Sequence, residues 1–275
     1  MASSLTGARW TEFPSFSRSI GHTNVPADAV DHLLGRDLAA AAPPAHFSRV
    51  LYIPRHDRRV AHLPLYDVSA AYARAVGTAP MGSSKYRVNL ALMPRPNGEG
   101  GDVVSHLLTV HGGARGVLER RGGAPAETVI ALPGSGSGTF TIDAGRHQRS
   151  IVSASFPLAD QRTPGGTIRF PYFDVNIRGR EQWQWQIRPY EHGSLRYTLV
   201  RSGDDLEPFV VAVYHHVGVS INLPADYSEG VLLLPEEGSE TEAELAVASL
   251  LGLLWQLRDM HVKKRSLKTL FKRRV

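Results

Sequence analysis

The sequence predicts a mainly β protein: a closed or nearly closed barrel of about twelve strands enclosing a hydrophobic C-terminal helix. Three observations carry this expectation. β-branched and aromatic runs recur from Phe47 onward with turn residues between them, the pattern of a sandwich or barrel. Gln182-Trp-Gln-Trp-Gln-Ile-Arg188 alternates strictly, so Trp183, Trp185 and Ile187 share one face of a strand, the glutamines the other, and one side is buried. Leu245 to Leu257 is apolar nearly all round, which no surface helix is. With 275 residues, 42% of them hydrophobic, the chain can bury a core without a metal or disulfide.

Taken in order, residues 1–45 read as a polar N-terminal extension with one short helix, Pro26 to Ala42, ended by Pro43 and Pro44. Residues 46–262 read as the barrel with its central helix, and residues 263–275 as a basic tail. The expected strands are Phe47 to Ile53, Val60 to Tyr66, Tyr86 to Met93, Val103 to His111, Thr128 to Leu132, Thr139 to Asp143 and Ile151 to Phe156. They continue with Thr167 to Ile177, Gln182 to Arg188, Leu195 to Arg201, Phe209 to Ile221 and Gly230 to Leu234. A helix at Ala70 to Val76, capped by Ser69, interrupts the series between the second and third strands. His192-Gly193 supplies turn residues for a hairpin joining Gln182 to Arg188 with Leu195 to Arg201.

The C-terminal helix has the strongest start signal in the chain. Ser239-Glu-Thr-Glu242 and Thr241-Glu-Ala-Glu244 both fit the capping box, in which a hydroxyl and a carboxylate satisfy free backbone N–H groups. Acidic residues gather at its beginning and basic ones at its end, both favourable to the helix dipole. Its apolar stretch of thirteen residues, broken by a stripe of Ser249, Gly252 and Gln256, falls short of the ~20 needed to span a bilayer. A protein core is therefore expected around it. From Glu240 to Arg258 the helix would measure roughly 28 Å, close to the height of a barrel with strands of about seven residues. Twelve strands enclose more space than their own side chains fill, since a barrel of about eight is already just filled.

The formal charge of +5 is unevenly distributed. Residues 258–275 hold eight Lys and Arg against Asp259 alone, a balance of +7, which leaves −2 for everything before them. An acidic partner is expected for this tail, either an anionic membrane or phosphoinositide, or nucleic acid. The basic residues are Lys263, Lys264, Arg265, Lys268, Lys272, Arg273 and Arg274, and among them Leu267, Leu270 and Phe271 recur at helical spacing as a membrane-contact face. Lys263-Lys264-Arg265 and Lys272-Arg273-Arg274 equally suit nuclear import or phosphate contacts, and a solvated terminus would give the same asymmetry. Zero Cys excludes a thiol nucleophile, thiolate metal sites and a disulfide-linked partner. The first twenty residues lack a secretory apolar run, and Glu12 and Pro14 interrupt a transit-like pattern carrying Arg9 and Arg18. An intracellular protein is expected, cytoplasmic or peripheral to a membrane, with the nucleus as the alternative.

The order of the Arg180 to Trp185, Leu195 to Arg201, Phe209 to Tyr214 and Gly230 to Leu234 strands, then the Glu242 to Arg258 helix and basic residues, resembles uncharacterised proteins of the tubby C-terminal-like superfamily. That superfamily includes tubby, LURP-one-related and scramblase domains. The resemblance implies a twelve-stranded barrel around a hydrophobic C-terminal helix, and phosphoinositide binding through basic surface residues. No position of this chain matches a family ligand site, so no residue is carried over.

No motif specifies a reaction, and no cofactor or metal is expected. Pro133-Gly-Ser-Gly-Ser-Gly-Thr139 lacks the Gly-Lys-Ser/Thr of a phosphate loop and is followed by a strand, so it reads as a hairpin connection. His56 and His62, His106 and His111, and His215 and His216 lack the helical four-residue spacing of a zinc motif, and the last two should point to opposite faces of a strand. Trp183 and Trp185 could line a ligand pocket but suit a barrel core better. The expected function is that of a non-enzymatic binding or adaptor protein. A barrel enzyme or ligand carrier whose site forms only in space remains the further alternative.

Overall fold

A computed structural model describes residues 47–77, 79, 83–96, 103–121, 127–132, 139–144, 149–155, 172–177, 182–189, 195–203, 206–216, 227–235 and 239–272, the last fourteen by backbone alone. The expected N-terminal helix at Pro26 to Ala42 and the turn residues His192 and Gly193 lie outside them.

Twelve antiparallel strands form a closed barrel. They are β1 (Arg49–His56), β2 (His62–Asp67), β3 (Val104–His111), β4 (Arg115–Arg120), β5 (Glu127–Ala131) and β6 (Thr139–Ala144), then β7 (Arg149–Ser155), β8 (Tyr172–Asn176), β9 (Gln182–Pro189), β10 (Leu195–Gly203), β11 (Leu206–His216) and β12 (Ser228–Leu234). Each strand pairs with its sequence neighbour, and β1 closes the ring on β12 with Leu51 opposite Leu232. Closure leaves no edge strand with free N–H and C=O groups.

The count of twelve conceals two errors that offset each other. Tyr86 to Met93, expected as a strand, belongs to helix α2 (Ser84–Leu92), which follows α1 (Ser69–Val76). Tyr86, Leu90 and Met93 are buried at spacings of four and three, while Val88 and Leu92 are 55% and 76% exposed. That is a helical face and not a strand alternation. Ser83 caps the helix, its Oγ accepting from Tyr86 N at 3.1 Å. The strand missing from the expectation is β4. It returns from β3 through Gly112 and Gly113, whose φ values of 57° and 69° suit residues without a side chain, and Ala114 N donates to His111 O at 3.2 Å.

The cap of α1 also differs from expectation. Ser69 is its first helical residue, and Asp67 Oδ1 accepts from both Ser69 N (2.9 Å) and Ser69 Oγ (2.6 Å). Ser69 Oγ in turn accepts from Val50 N at 2.9 Å, which fastens α1 to β1. The two helices pack on the outer side of the barrel against β1, β11 and β12. There Tyr52, Tyr72, Tyr86, Val213, Val231 and Leu233 form a second apolar cluster, and the Tyr72 and Tyr86 hydroxyls lie 2.8 Å apart. Every residue of β12 is consequently buried, which explains its unbroken Val-Leu-Leu-Leu run.

The third helix, α3 (Glu240–Lys272), begins at a cap that Ser239 supplies: its Oγ accepts from Glu242 N at 3.0 Å. Thr241 does not serve, and Glu242 completes no box, because its carboxylate takes Arg201 Nη1 at 3.0 Å. From Glu244 to Arg258 every residue is buried, and the apolar ones share a single cluster with strand residues such as Leu51, Phe140, Phe173, Trp185 and Leu232. The small and polar stripe lies where α3 meets aromatic rings. Trp185 Nε1 donates to Ser249 Oγ at 2.9 Å, and a Cβ added at Gly252 would stand 2.2 Å from Phe140 Cε2. No helix among the described residues is long and apolar enough to cross a membrane.

The alternation of β9 holds, with a difference. Trp183, Trp185 and Ile187 are buried, but Gln184 and Gln186 are buried as well. Their amides are used in a line, Gln186 Nε2 donating to Gln184 Oε1 (3.0 Å) and Gln184 Nε2 to Asp174 Oδ1 (2.8 Å). Burial of amides is tolerated only with such partners.

Candidate functional site

Two polar clusters stand at opposite ends of the apolar stretch of α3. At its first turns three carboxylates meet basic side chains from four strands. Glu240 pairs with Arg49 (3.7 Å) and Arg120, Glu242 with Arg201 (3.0 Å), and Glu244 Oε1 with His106 Nε2 (3.2 Å) and Arg120 Nε (3.6 Å). The acidic start expected from the helix dipole is thus neutralised against the strands. β3 carries one extra residue here, Ser105, where its register against β2 shifts, and Ser105 Oγ lies 3.0 Å from His106 Nδ1. Ser105, His106 and Glu244 form a serine, histidine and acid line, all buried. The line serves to orient: Ser105 is joined to its own sequence neighbour, and its carbonyl is held by Arg121 N at 2.7 Å. It locks the start of α3 to the β3–β4 hairpin.

The other cluster surrounds Arg258, at the end where β1 reaches His56 and β12 begins at Ser228. Arg258 is 1% exposed, and its Nη1 donates to Ser228 Oγ at 2.7 Å. The residue was expected to contribute to the tail's charge. It does not, since the strands bury it, and the segment beyond it retains seven basic residues and Asp259, a balance of +6. Tyr197 and Tyr214, opposite each other on β10 and β11, meet edge to face with centroids 5.2 Å apart. Gly230 makes room for the second ring: a Cβ there would stand 2.5 Å from Tyr214 Cε2 and 2.2 Å from His215 O. Burial raises both phenol pKa values, with Arg258 opposing the shift. The Arg258 guanidinium is itself lowered to about 10, by burial first.

Comparison of the chain with family models, curated proteins and solved structures returns no match. Function is therefore argued from these clusters and from the tail.

The tail residues divide between what the structure describes and what it does not. The backbone of α3 continues in helix through Lys272, so positions 263, 264, 265, 267, 268, 270, 271 and 272 all stand on one uninterrupted helix. Arg273 and Arg274 lie outside the described residues. The histidine pairs do not converge. His215 packs against Tyr86 (5.1 Å) and His216 beside Tyr227 (6.2 Å), on opposite faces as the strand geometry demands. Among the described residues no three metal-ligating groups gather.

Sequence reasoning missed Arg258 because it was counted with its basic neighbours. The available signal was its position three and four residues beyond Trp255 and Leu254, on the continuation of the apolar face.

His56 gives this end of the barrel a measurable acid response. Its Nδ1 donates to Pro54 O at 2.8 Å, and burial, reinforced by the charge of Arg258, lowers its pKa to about 4. The folded state therefore binds its proton less readily than the unfolded state, whose histidine titrates near 6.5. Stability is full above that value and declines as pH falls from ~6.5 toward ~4, by about 3 kcal/mol for this residue at 1.36 kcal/mol per unit. Urea denaturation at half-unit pH steps should show the decline, and His56→Gln should flatten part of it. An identical slope in the variant would refute the assignment.

Proposed function

We propose that the protein is a non-enzymatic binding protein that docks on an anionic membrane or phosphoinositide through residues 263–274, using the barrel, closed around α3, as a rigid base. One observation carries the reading: α3 runs without a break from the buried Arg258 to Lys272. The basic segment is then a projecting continuation of the helix whose earlier turns are packed against the strands. At 100° per residue, positions 267, 270 and 271 fall within an arc of about 100°, which position 263 shares, and positions 264, 265, 268 and 272 within an adjoining arc of similar width. An amphipathic helix of this kind lies in the interface with its apolar side in the acyl boundary and its cations among headgroups. The reading agrees with the resemblance to tubby-like domains and with a peripheral location on the cytoplasmic side of a membrane.

Each Lys or Arg near an anionic surface contributes about 1 kcal/mol, so seven contribute at most roughly 7 kcal/mol at low salt. Sedimentation with phosphoinositide-containing vesicles should show binding by the full chain and a loss of at least ~100-fold for a chain ending at His261. Leu270→Ser with Phe271→Ser, which changes no charge, should weaken vesicle binding by roughly tenfold. Duplex DNA at two salt concentrations separates the alternative, since phosphate contacts are salt-steep and indifferent to that double substitution. Vesicle binding undiminished in the shortened chain would overturn the proposal.

A further inference from the structure

The Arg258 cluster contains a buried positive charge that no acid among the described residues balances. Among the described residues no carboxylate pairs with Arg258, and the acid whose charge acts on it, Asp57, sits exposed on the β1–β2 turn and accepts from Arg59 N at 2.7 Å. Arg58 adds a second positive charge nearby. An unpaired buried charge is among the most costly features a fold can retain.

The pattern of its free donors is informative. Nη1 is committed to Ser228, while Nε and Nη2 find no partner among the described residues. Those two nitrogens lie on one edge of the planar guanidinium, the edge that presents two parallel N–H groups to a pair of oxygens. The Trp255 ring covers the cation at 5.6 Å. The Tyr197 and Tyr214 hydroxyls, also buried, likewise have no partner among the described residues. Such a set, a fixed fork with two neutral hydroxyls, complements an anion with two or more oxygens.

We propose that this end of the barrel binds a small oxyanion, a carboxylate or phosphate group, held bidentately on the free edge of Arg258 and completed by the Tyr197 and Tyr214 hydroxyls. This site is independent of the tail. Water could satisfy the hydroxyls, but it would leave the guanidinium charge unbalanced.

The test uses the full chain in Tris-chloride, melted with added inorganic phosphate, with acetate, or with chloride at matched ionic strength. The wild type should show a saturable rise in Tm of roughly 5 °C at a hundredfold excess of phosphate or acetate over its Kd, beyond any chloride effect. The better of the two arms identifies the oxyanion class. Arg258→Met should fold, because an apolar side chain replaces an unpaired charge, and it should lose the rise entirely. It retains the whole tail, so phosphate bound there would leave its response intact. Tyr214→Phe should fold and weaken the response several-fold. To detect an anion retained through purification, the protein is unfolded and the released ions are quantified by ion chromatography. One equivalent from the wild type and none from Arg258→Met supports the site. A rise that survives in Arg258→Met, or a wild type that neither responds nor releases an anion, overturns it.

Discussion

Leu254→Asp unfolds the protein. Leu254 is completely buried in the cluster that α3 shares with the strands, and a carboxylate there replaces packed hydrocarbon. Leu254→Ala alone should cost about 2 to 5 kcal/mol, a large part of the roughly 5 to 15 kcal/mol that holds a domain together. The aspartate adds desolvation of a charge to the cavity. Ending the chain before Glu240 removes the whole buried stretch and should leave an insoluble or molten product. A chain ending near His261 keeps every residue from Glu244 to Arg258 and should fold. Circular dichroism melts and size-exclusion profiles of the three chains decide the matter, and a soluble, cooperatively melting protein without residues 240–275 would contradict it.

Gly252→Leu should be nearly as damaging, for a geometric reason. Even the Cβ of alanine would stand within 2.2 to 2.8 Å of three atoms of the Phe140 ring, itself buried and unable to swing away freely. Helix propensity alone predicts that Gly252→Ala stabilises by about 1 kcal/mol. Overpacking of typically 1 to 3 kcal/mol opposes it, and the expected net result is a loss. Phe140→Ala should restore much of the ground lost by Gly252→Leu, because the isobutyl group then occupies space the ring has left. Denaturant midpoints for the two single variants and the double variant measure the coupling. Simple additivity between positions 140 and 252 would show that the contact is not what makes glycine necessary.

These two positions also show what the sequence could express. Strict alternation made β9 legible, and the twin hydroxyl and carboxylate signals located the start of α3 within a residue, though they could not choose between Ser239 and Thr241. The cap falls to Ser239, whose Oγ accepts from Glu242 N, while Glu244, the carboxylate that Thr241 would need, is engaged by His106 and Arg120. α2 was misread because Tyr-Arg-Val-Asn-Leu-Ala-Leu-Met satisfies a period of two as well as the period of 3.6. The Ser83 cap was the signal that separates them. β4 was overlooked because its apolar content is only Val117 and Leu118, yet Gly112-Gly113 between two runs was a hairpin signal in plain view. The Arg258 cluster was illegible for a different reason. Its members come from β10, β11, β12 and α3, far apart in the chain, and their relation exists only once the ring has closed.

That closing seam sets a schedule for the cell. Tyr52 and Glu229, whose side chains meet across it at 2.9 Å, are 177 positions apart. A ribosome adding about 5 to 20 residues per second needs roughly 10 to 35 seconds to travel that distance. Throughout this interval β1 has no partner on one side, and the aromatic faces of β6, β8 and β9 have nothing to pack against until residues 245–258 emerge. The nascent chain is therefore at its most adhesive just before residues 245–258 emerge. Translation products that stall between β12 and the middle of α3 should be the species that chaperones retain and that aggregates collect.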